Sequence, residues 1–402
     1  MRIGHESCMN FAGMRELYEK LGYRPKYCVW EVTLRCNLSC LHCGSRAGKP
    51  RPDELTTEES LALVDELARL GCERLTLSGG EPTLRRDWPL LARRAVERQI
   101  ECNLVTNGMT WDRDTAIAAR DAGLANVGFS LDGTESTHDH IRNRRGSFDR
   151  LLAGLDVSAE VGLPTAVLTH VHRRDLDELE EIAEIAATHG AKIWQLQLGN
   201  PIGNMLEHRD LCIEPDVLLT LLPLLGRLFA RYRGRMRVDL GDNIGYYSAD
   251  EAPMREAPRL PFWTGCAAGM RVVGIESNGN VKGCLSQPGE QFVEGNLRQT
   301  PLAEIWSRQG AFAYNREFTV DLLEGDCREC AYARICRAGC RWTAFCQSGH
   351  KFNNPYCYHR VAAIARGKTQ PRTGAAACGS AQAASAQSHE PEVEVRVGRQ
   401  TE

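Results

Sequence analysis

Short apolar runs alternate with amphipathic stretches between residues 28 and 235. The apolar runs predict six strands, at 28–33, 75–77, 104–106, 127–130, 166–168 and 193–197. The other stretches predict helices, which include 86–98, 112–122, 147–160, 176–189 and 215–232. Strands that alternate with helices are typical of a parallel sheet, and right-handed crossovers would curl such a sheet into a barrel. The predicted fold class is therefore α/β, with a partial (β/α)6 barrel of the TIM type.

The first predicted helix has well-defined ends. Thr56 and Glu59 have the spacing of a capping box, in which each side chain satisfies a free N–H group of the first turn. Apolar side chains then recur at helical spacing, at Leu61, Val64, Leu67 and Leu70. Gly71 is a typical residue to end the helix.

The pattern changes after residue 235. Two apolar runs, 272–276 and 281–284, flank Asn278-Gly279 and predict a β-hairpin. A cysteine-rich region with few apolar residues follows, and bound metal is expected to stabilise it. The predicted segments are an N-terminal extension (1–27), the barrel (28–235), a connector (236–265), a cysteine-rich domain (266–366) and a disordered tail (367–402).

Composition excludes several classes of protein. The net charge of -3 gives no reason to expect nucleic-acid binding. No apolar run is long enough to span a membrane, and the N-terminus has no apolar signal core. We therefore expect a cytoplasmic protein.

The chain has 17 cysteines, which a reducing compartment would not pair as structural disulfides. One group, Cys36, Cys40 and Cys43, has the spacing C-x3-C-x2-C. A larger group comprises Cys266, Cys284, Cys327, Cys330, Cys336, Cys340, Cys346 and Cys357. The scattered remainder are predicted to be ordinary small side chains, at Cys8, Cys28, Cys72, Cys102, Cys212 and Cys378.

Both cysteine groups are predicted to bind metal. Three thiolates would hold three irons of a [4Fe-4S] cluster and leave the fourth iron open to a reactant. Zinc is the alternative: Cys40 and Cys43 would form half a site, and the four cysteines from Cys327 to Cys340 a complete one. A zinc site would leave Cys266, Cys284 and Cys357 unexplained.

Polar residues follow four consecutive predicted strands. These loops contain Cys36 to Cys43, Ser78-Gly79-Gly80-Glu81-Pro82, Thr106-Asn107-Gly108 and Ser130-Leu131-Asp132-Gly133. Because the carboxyl ends of barrel strands share one face, we expect the loops to form one site. Asn-Gly and Asp-Gly are, taken alone, also ordinary turn sequences.

These motifs resemble the radical S-adenosylmethionine (radical SAM) superfamily over about residues 28–235. The likeness lies in the C-x3-C-x2-C motif after the first strand and in Gly79 to Pro82 after the second. The later cysteines resemble the SPASM extension of that superfamily, which carries auxiliary iron–sulfur clusters. Its pattern is met by Cys266, Gly279 and Cys284, then by Cys327, Cys330, Cys336 and Cys340, and finally by Cys357.

The resemblance implies an enzyme with three [4Fe-4S] clusters and S-adenosyl-L-methionine. One electron from the cluster on Cys36, Cys40 and Cys43 would cleave the cofactor to a 5'-deoxyadenosyl radical, which takes hydrogen from a substrate. A reductant such as ferredoxin or flavodoxin would supply the electron.

The resemblance also implies which residues bind the cofactor. They are His42, Gly79, Gly80, Glu81, Pro82, Asn107, Ser130, Asp132 and Arg142. The two glycines would let the backbone approach the cofactor, and Glu81 would accept from its amino group. Ser130 and Asp132 are candidates for its ribose or methionine end, Asn107 is a further candidate, and His42 is expected near the adenine. Arg142 would pair with the cofactor carboxylate or belong to an arginine-rich surface.

By the same resemblance, the first auxiliary cluster takes Cys266, Cys284 and Cys340. The second takes four cysteines, namely Cys327, Cys330, Cys336 and Cys357. The first cluster therefore either has an open iron or recruits Cys346.

SPASM relatives mostly modify peptides, so a ribosomally made peptide is the expected substrate. Leu285 replaces the catalytic Asp of sulfatase-maturing relatives, which argues against formylglycine formation. Only 27 residues precede the first strand, too few for a leader-recognition domain, so a separate protein would supply recognition or none is needed. Two alternatives are an enzyme acting on a small molecule such as a tetrapyrrole precursor, and a multi-cluster electron carrier. A carrier would have no need of the Gly79 to Pro82 loop, and no catalytic base is identified.

Overall fold

The computed structural model describes residues 22–255 and 262–367. The predicted disordered tail, apart from Gly367, and most of the N-terminal extension lie outside the described residues. Within the described ranges, no helix is both long enough and apolar enough to cross a bilayer.

A ten-stranded sheet forms the centre of the protein. Its strands are β1 (Tyr27–Thr33), β2 (Arg74–Gly79), β3 (Glu101–Thr106), β4 (Asn126–Ser130), β5 (Thr165–Val171), β6 (Ile193–Leu198), β7 (Arg237–Leu240), β8 (Val272–Ile275), β9 (Asn280–Lys282) and β10 (Val293–Asn296). The order is β10-β9-β8-β1-β2-β3-β4-β5-β6-β7, and neighbours from β8 to β7 in this order are parallel. The six predicted strands and the α/β fold are confirmed.

Helices connect and cover the strands. They are α1 (Thr57–Arg69), α2 (Trp88–Glu97), α3 (Arg113–Asp121), α4 (Glu135–Ile141), α5 (Ser147–Glu160), α6 (Leu179–Thr188), α7 (Leu218–Tyr232), α8 (Leu302–Ser307), α9 (Ala313–Arg316), α10 (Ala333–Cys336), α11 (Arg341–Ser348) and α12 (Tyr358–Ala365). The predicted capping box opens α1: Glu59 N–H donates to Thr56 Oγ1 over 3.2 Å, and Thr56 N–H donates to Glu59 Oε2 over 2.8 Å.

The segment 236–265, predicted to be a connector, contains a seventh barrel strand. β7 pairs in parallel with β6, with Arg237 opposite Ile193. The strand has only four residues, of which Val238 alone is fully buried. A run so short and so polar is not recognisable by periodicity, which explains why the sequence pattern missed it.

The predicted hairpin is confirmed as β8 and β9, which pair antiparallel. β8 also pairs in parallel with β1, with Val272 opposite Tyr27. The cysteine-rich domain therefore extends the barrel sheet at the β1 edge.

Alternation along the strands separates a helix-facing side from a lumen-facing side. Helix-facing residues such as Trp30, Leu75 and Phe129 are fully buried in the main core. The intervening positions face the lumen, and neighbouring strands match there in register, as with Asn103 beside Asn126 and Leu168 beside Gln195. The barrel interior is consequently more polar than the shell.

Candidate active site

The cysteines of the first motif lie in the loop after β1, at the carboxyl end of the barrel. Each sulfur has at least one nearby N–H donor: Asn107 Nδ2 lies 3.8 Å from Cys36, Arg142 Nη1 lies 3.9 Å from Cys40, and Ala47 N lies 3.4 Å from Cys43. Burial raises the pKa of Cys36 to about 11. Buried thiols with N–H donors suit a metal cluster, because iron displaces the proton and the donors stabilise the charged sulfur.

The two glycines after β2 pack against the cysteine loop itself. A Cβ on Gly79 would lie 2.3 Å from Thr33 O, and a Cβ on Gly80 would lie 2.2 Å from Arg35 O. Gly79 also has a φ of 129°, which a residue with a side chain rarely adopts. The glycines are thus required by backbone contacts inside the protein, a reason different from the expected approach to the cofactor.

The Glu81 side chain accepts hydrogen bonds from protein donors on both of its carboxylate oxygens. Its side chain is fully buried. Oε1 accepts from Thr83 N at 3.2 Å, Thr83 Oγ1 at 2.7 Å and Thr106 Oγ1 at 2.9 Å, and Oε2 accepts from Asn107 N at 2.8 Å. Glu81 therefore joins the β2 loop to the β3 loop. Pro82 starts the buried single turn that follows it.

Asn107 links the β3 loop to the cysteine loop. Its Nδ2 donates to Asn37 Oδ1 over 2.8 Å as well as facing Cys36. Its Oδ1 accepts from Met109 N at 2.9 Å. The side chain orients the first cysteine of the motif.

Arg142 is buried, so the expectation that it belongs to an arginine-rich surface was wrong. Its Nη2 lies 2.6 Å from Asp132 Oδ2 and 3.1 Å from Ser130 O. Burial would raise the pKa of Asp132, but Arg142 and His42 hold it well below the ordinary value. A charged pair is therefore buried beside Cys40, with the guanidinium between the carboxylate and the sulfur.

His42 is fixed by the same carboxylate. Its Nε2 donates to Asp132 Oδ2 over 2.7 Å, while its Nδ1 is buried without a hydrogen-bond partner. The ring meets His170 edge-on, with 4.5 Å between centroids. His170 N also donates to Asp132 Oδ1 over 2.9 Å. Asp132 thus organises a buried polar cluster rather than presenting a free carboxylate.

The first auxiliary set, Cys266, Cys284 and Cys340, gathers where the hairpin meets the start of α11. Burial raises the pKa of Cys284 to about 11, and Cys266 raises it further. Cys340 is affected in the same direction by burial and by both other cysteines. Three thiolates this close would repel one another, and bound metal cations would offset that repulsion. The three cysteines are therefore a suitable donor set for a metal centre.

The four cysteines of the second set line one cavity. Cys327, Cys330, Cys336 and Cys357 all contribute to its wall. Tyr332 N donates to Cys330 Sγ over 3.4 Å. Four thiols around one cavity fit the donor set of a cluster without an open iron.

This grouping contradicts the zinc alternative for Cys327 to Cys340. Cys357 joins Cys327, Cys330 and Cys336 around the cavity, whereas Cys340 belongs with Cys266 and Cys284. Among the described residues, no three His, Cys, Asp or Glu side chains converge on a site for a single metal ion.

Cys346 lies within α11, apart from both sets. Burial raises the pKa of its thiol, the Trp342 side chain opposes this rise, and no cysteine contributes to it. Of the scattered cysteines, Cys28, Cys72, Cys102 and Cys212 are buried, whereas Cys8 and Cys378 lie outside the described residues.

Two residues of the site escaped sequence reasoning. His170 lies on the lumen side of β5, which the period of two along that strand would have indicated. Tyr246 lies between the auxiliary sets: its Oη donates to Asp242 O over 2.7 Å and accepts from Cys340 N at 3.0 Å, and its ring lines the second cavity. No local sequence pattern indicates Tyr246.

Two family models match the chain. That of the radical SAM superfamily matches residues 30–186, and that of the SPASM iron–sulfur cluster-binding domain matches residues 266–331. An AdoMet-dependent heme synthase of Methanosarcina barkeri is 30% identical over 347 residues, which are 84% of this chain and 97% of that protein. The mycofactocin maturase MftC of Mycobacterium tuberculosis is 30% identical over 371 residues, which are 89% of each chain.

The fold is shared with solved structures. Streptococcus suis SuiB bound to S-adenosylmethionine superposes with a TM-score of 0.67 at 16% identity, covering 88% of this chain and 81% of SuiB. The family models and the relatives therefore indicate the same family, and the solved structure has the same fold. The chain belongs to the radical SAM superfamily, as an enzyme with a SPASM domain that uses iron–sulfur clusters and S-adenosyl-L-methionine.

Proposed function

We propose that this enzyme modifies a peptide substrate bound at the carboxyl end of the barrel. The observation that carries the proposal is the chemistry of the lumen side of β6. It presents neutral amide groups at Gln195 and Gln197. Amides donate and accept hydrogen bonds, as peptide groups do, so they suit an extended backbone.

The glutamines on β6 are the best-placed groups for this role. Gln195 is exposed and Gln197 is half-buried, although both lie on the inner side of the sheet. Gln197 is also opposite His170 in the strand register, which places it beside the polar cluster around Asp132. A substrate in contact with these amides would lie next to the radical-forming loop.

Arginines near the lumen are already paired with carboxylates. Arg142 pairs with Asp132, Arg51 with Glu31, Arg74 with Glu101 and Arg237 with Asp239. A substrate with several carboxylates would need free cations to offset its desolvation. The pairing observed therefore favours a peptide over a polycarboxylate.

Some relatives support the same choice. They include the mycofactocin maturases and, at 29% identity over 359 residues, a PqqA peptide cyclase of Granulibacter bethesdensis. The second candidate is a tetrapyrrole substrate, which relatives named AdoMet-dependent heme synthase and Fe-coproporphyrin III synthase favour.

We further propose how the residues divide the work. Cys36, Cys40 and Cys43 hold the cluster that, with S-adenosyl-L-methionine, supplies the 5'-deoxyadenosyl radical. Asp132 and Arg142 fix the loop and His42, whose unpartnered Nδ1 is available to the adenine. Gly79, Gly80, Pro82, Asn107 and Ser130 shape the cofactor cradle, and Glu81 braces it.

The remaining assignments concern electron supply. The two auxiliary sets hold one cluster each, and the first has an open iron because Cys346 stands apart. A one-electron donor such as ferredoxin or flavodoxin supplies the electron, and a separate protein presents the peptide leader if recognition is needed.

The test is an anaerobic assay with reconstituted enzyme, dithionite and S-adenosyl-L-methionine. Short peptides encoded beside the gene form one arm, and Fe-coproporphyrin III forms the other. Mass spectrometry of the products should show a changed peptide mass together with 5'-deoxyadenosine. Conversion of the porphyrin, with no peptide changed, would establish the second candidate instead.

A variant pair locates the substrate. Gln195→Leu should raise the KM for the peptide about fivefold, since one lost hydrogen bond is worth about 1 kcal/mol. Gln309→Leu, an exposed glutamine far along the chain in the cysteine-rich domain, is the control and should leave KM unchanged. An unchanged KM for Gln195→Leu would place the peptide elsewhere.

A further inference from the structure

Arg341 is a fully buried cation beside the auxiliary cysteines. It is the first residue of α11 and directly follows Cys340, a member of the first set. Its exposed fraction is 0%. It also hydrogen-bonds the carbonyl of Arg337, the residue after Cys336 of the second set. The side chain therefore lies between the two sets.

The groups in direct contact with this guanidinium are neutral among the described residues, and the Arg337 cation nearby disfavours its charge. Its Nε donates to Asn315 Oδ1 over 3.1 Å, and its Nη1 donates to Lys351 O over 3.0 Å. Its Cζ lies 4.4 Å from the ring centroid of Phe352 and 5.4 Å from that of Phe318. Its Nη2 is buried without a hydrogen-bond partner, and no carboxylate of residues 22–255 or 262–367 forms an ion pair with the guanidinium.

Burying an arginine without a counter-ion destabilises the folded protein. A guanidinium remains charged in proteins, and an uncompensated buried charge costs several kcal/mol. Aromatic faces and carbonyls offset only part of that cost. The arrangement therefore requires a negative charge nearby, and the auxiliary cysteines beside Arg341 are the groups that a bound cluster would make anionic.

We propose that Arg341 is the counter-charge of both auxiliary clusters and sets their reduction potentials. This inference rests on the ligand sets proposed above. Thiolate-ligated clusters are anionic, and each one-electron reduction adds a further negative charge, so a buried cation stabilises the reduced form. Cys266 and Cys340 hold the first cluster, so its potential depends on Arg341 more than that of the second.

The experiment is a dithionite titration of the full-length holoenzyme, followed by EPR spectroscopy, without peptide. Arg341→Gln keeps a polar planar group and removes the charge. Its first auxiliary cluster should become at least tenfold harder to reduce, a shift of about 59 mV to lower potential for one electron. The signal of the cluster on Cys36, Cys40 and Cys43 should keep its potential and serves as the internal reference.

Arg316→Gln is the matched control. Arg316 is also partly buried, donates to the carbonyls of Gly269 and Trp306, and stacks on aromatic rings. The groups that act on its charge are Tyr23, Glu294 and Tyr314, with no cysteine among them. Arg316→Gln should therefore lower thermal stability and leave every cluster potential in place.

Arg341→Lys separates charge from shape. It retains the cation and should keep the first auxiliary potential closer to the wild-type value than Arg341→Gln does. If Arg341→Gln loses its auxiliary iron, Arg341→Lys should still retain it. Equal potentials in wild type and Arg341→Gln, equal shifts in the Gln and Lys variants, or loss of auxiliary iron in both would overturn the proposal.

Discussion

Because Gly80 has no side chain, its backbone can pack closely against the radical-forming loop. Its N–H donates to Thr33 O over 2.8 Å, and a Cβ there would meet Arg35 O at 2.2 Å. Because both neighbours are backbone atoms next to Cys36, any added atom must displace the cysteine loop. The glycine is therefore a requirement of cluster geometry.

Gly80→Ala should destabilise the protein by about 1–3 kcal/mol, the usual cost of overpacking, and reduce its iron content. Gly48→Ala is the control, since Gly48 bridges to the same loop and a Cβ there meets nothing within 4 Å. Iron analysis and thermal denaturation check both variants. Full iron content in Gly80→Ala would show that the loop tolerates the displacement.

Glu81 is predicted to act through its hydrogen bonds to the protein. Glu81→Gln replaces one acceptor by an NH2 group that would face N–H or O–H donors, so we expect a loss of about 1–3 kcal/mol in unfolding free energy. Binding of S-adenosyl-L-methionine, measured by calorimetry on the folded variant, should change little. A large loss of affinity at unchanged stability would restore the direct contact expected from the resemblance.

Cys346→Ala tests the ligand set of the first auxiliary cluster. The variant should keep its iron content and its EPR spectrum, because this thiol stands apart from both sets. Cys340→Ala is the positive control and should lose auxiliary iron. A matching loss in Cys346→Ala would make Cys346 the fourth ligand and close the open iron.

At the scale of elements, two side-chain contacts join the cysteine-rich domain to the barrel in addition to the pairing of β8 with β1. Asn200, in the loop after β6, is 2% exposed and bonds Thr343 and Gln347 of α11, each over 3.2 Å. Arg298 forms an exposed pair with Glu59 of α1 over 2.7 Å. The first contact is buried and the second is exposed to water, so we expect the first to contribute more to the free energy of unfolding.

Asn200→Ala should cost about 1–3 kcal/mol, because it leaves the buried Thr343 hydroxyl and the Gln347 amide unpaired. Arg298→Ala should cost less than about 1 kcal/mol, and less still in high salt. Chemical denaturation of the two variants side by side measures both values. A larger loss for Arg298→Ala would reverse this ranking.

At the scale of the whole molecule, the sequence predicted the fold better than the site. The six strands, the hairpin and the capping box followed from local periodicity and turn chemistry, which act over a few residues. β7 was missed because four residues with one fully buried side chain show no period. The pairing of β8 with β1 joins residues far apart in the chain, and no local pattern encodes such a contact.

Local sequence patterns predicted the contacts of the site less well than the strands. Spacing identified the cysteines, since metal ligands must recur at fixed intervals. The resemblance assigned Glu81 and Arg142 to the cofactor, but it could not indicate their bonds to Thr106, Asn107 and Asp132. The partners of a buried charged group come from distant parts of the chain, so local sequence does not indicate them. The contacts of Tyr246 and Arg341 also join distant segments.

The most direct test of the whole account is the formation of 5'-deoxyadenosine by the reduced, anaerobic holoenzyme. Wild type should produce it from S-adenosyl-L-methionine. A variant with Cys36, Cys40 and Cys43 all changed to alanine should produce none while retaining about two thirds of the iron, held by the auxiliary sets. No 5'-deoxyadenosine from wild type, or undiminished formation by the triple variant, would contradict the account.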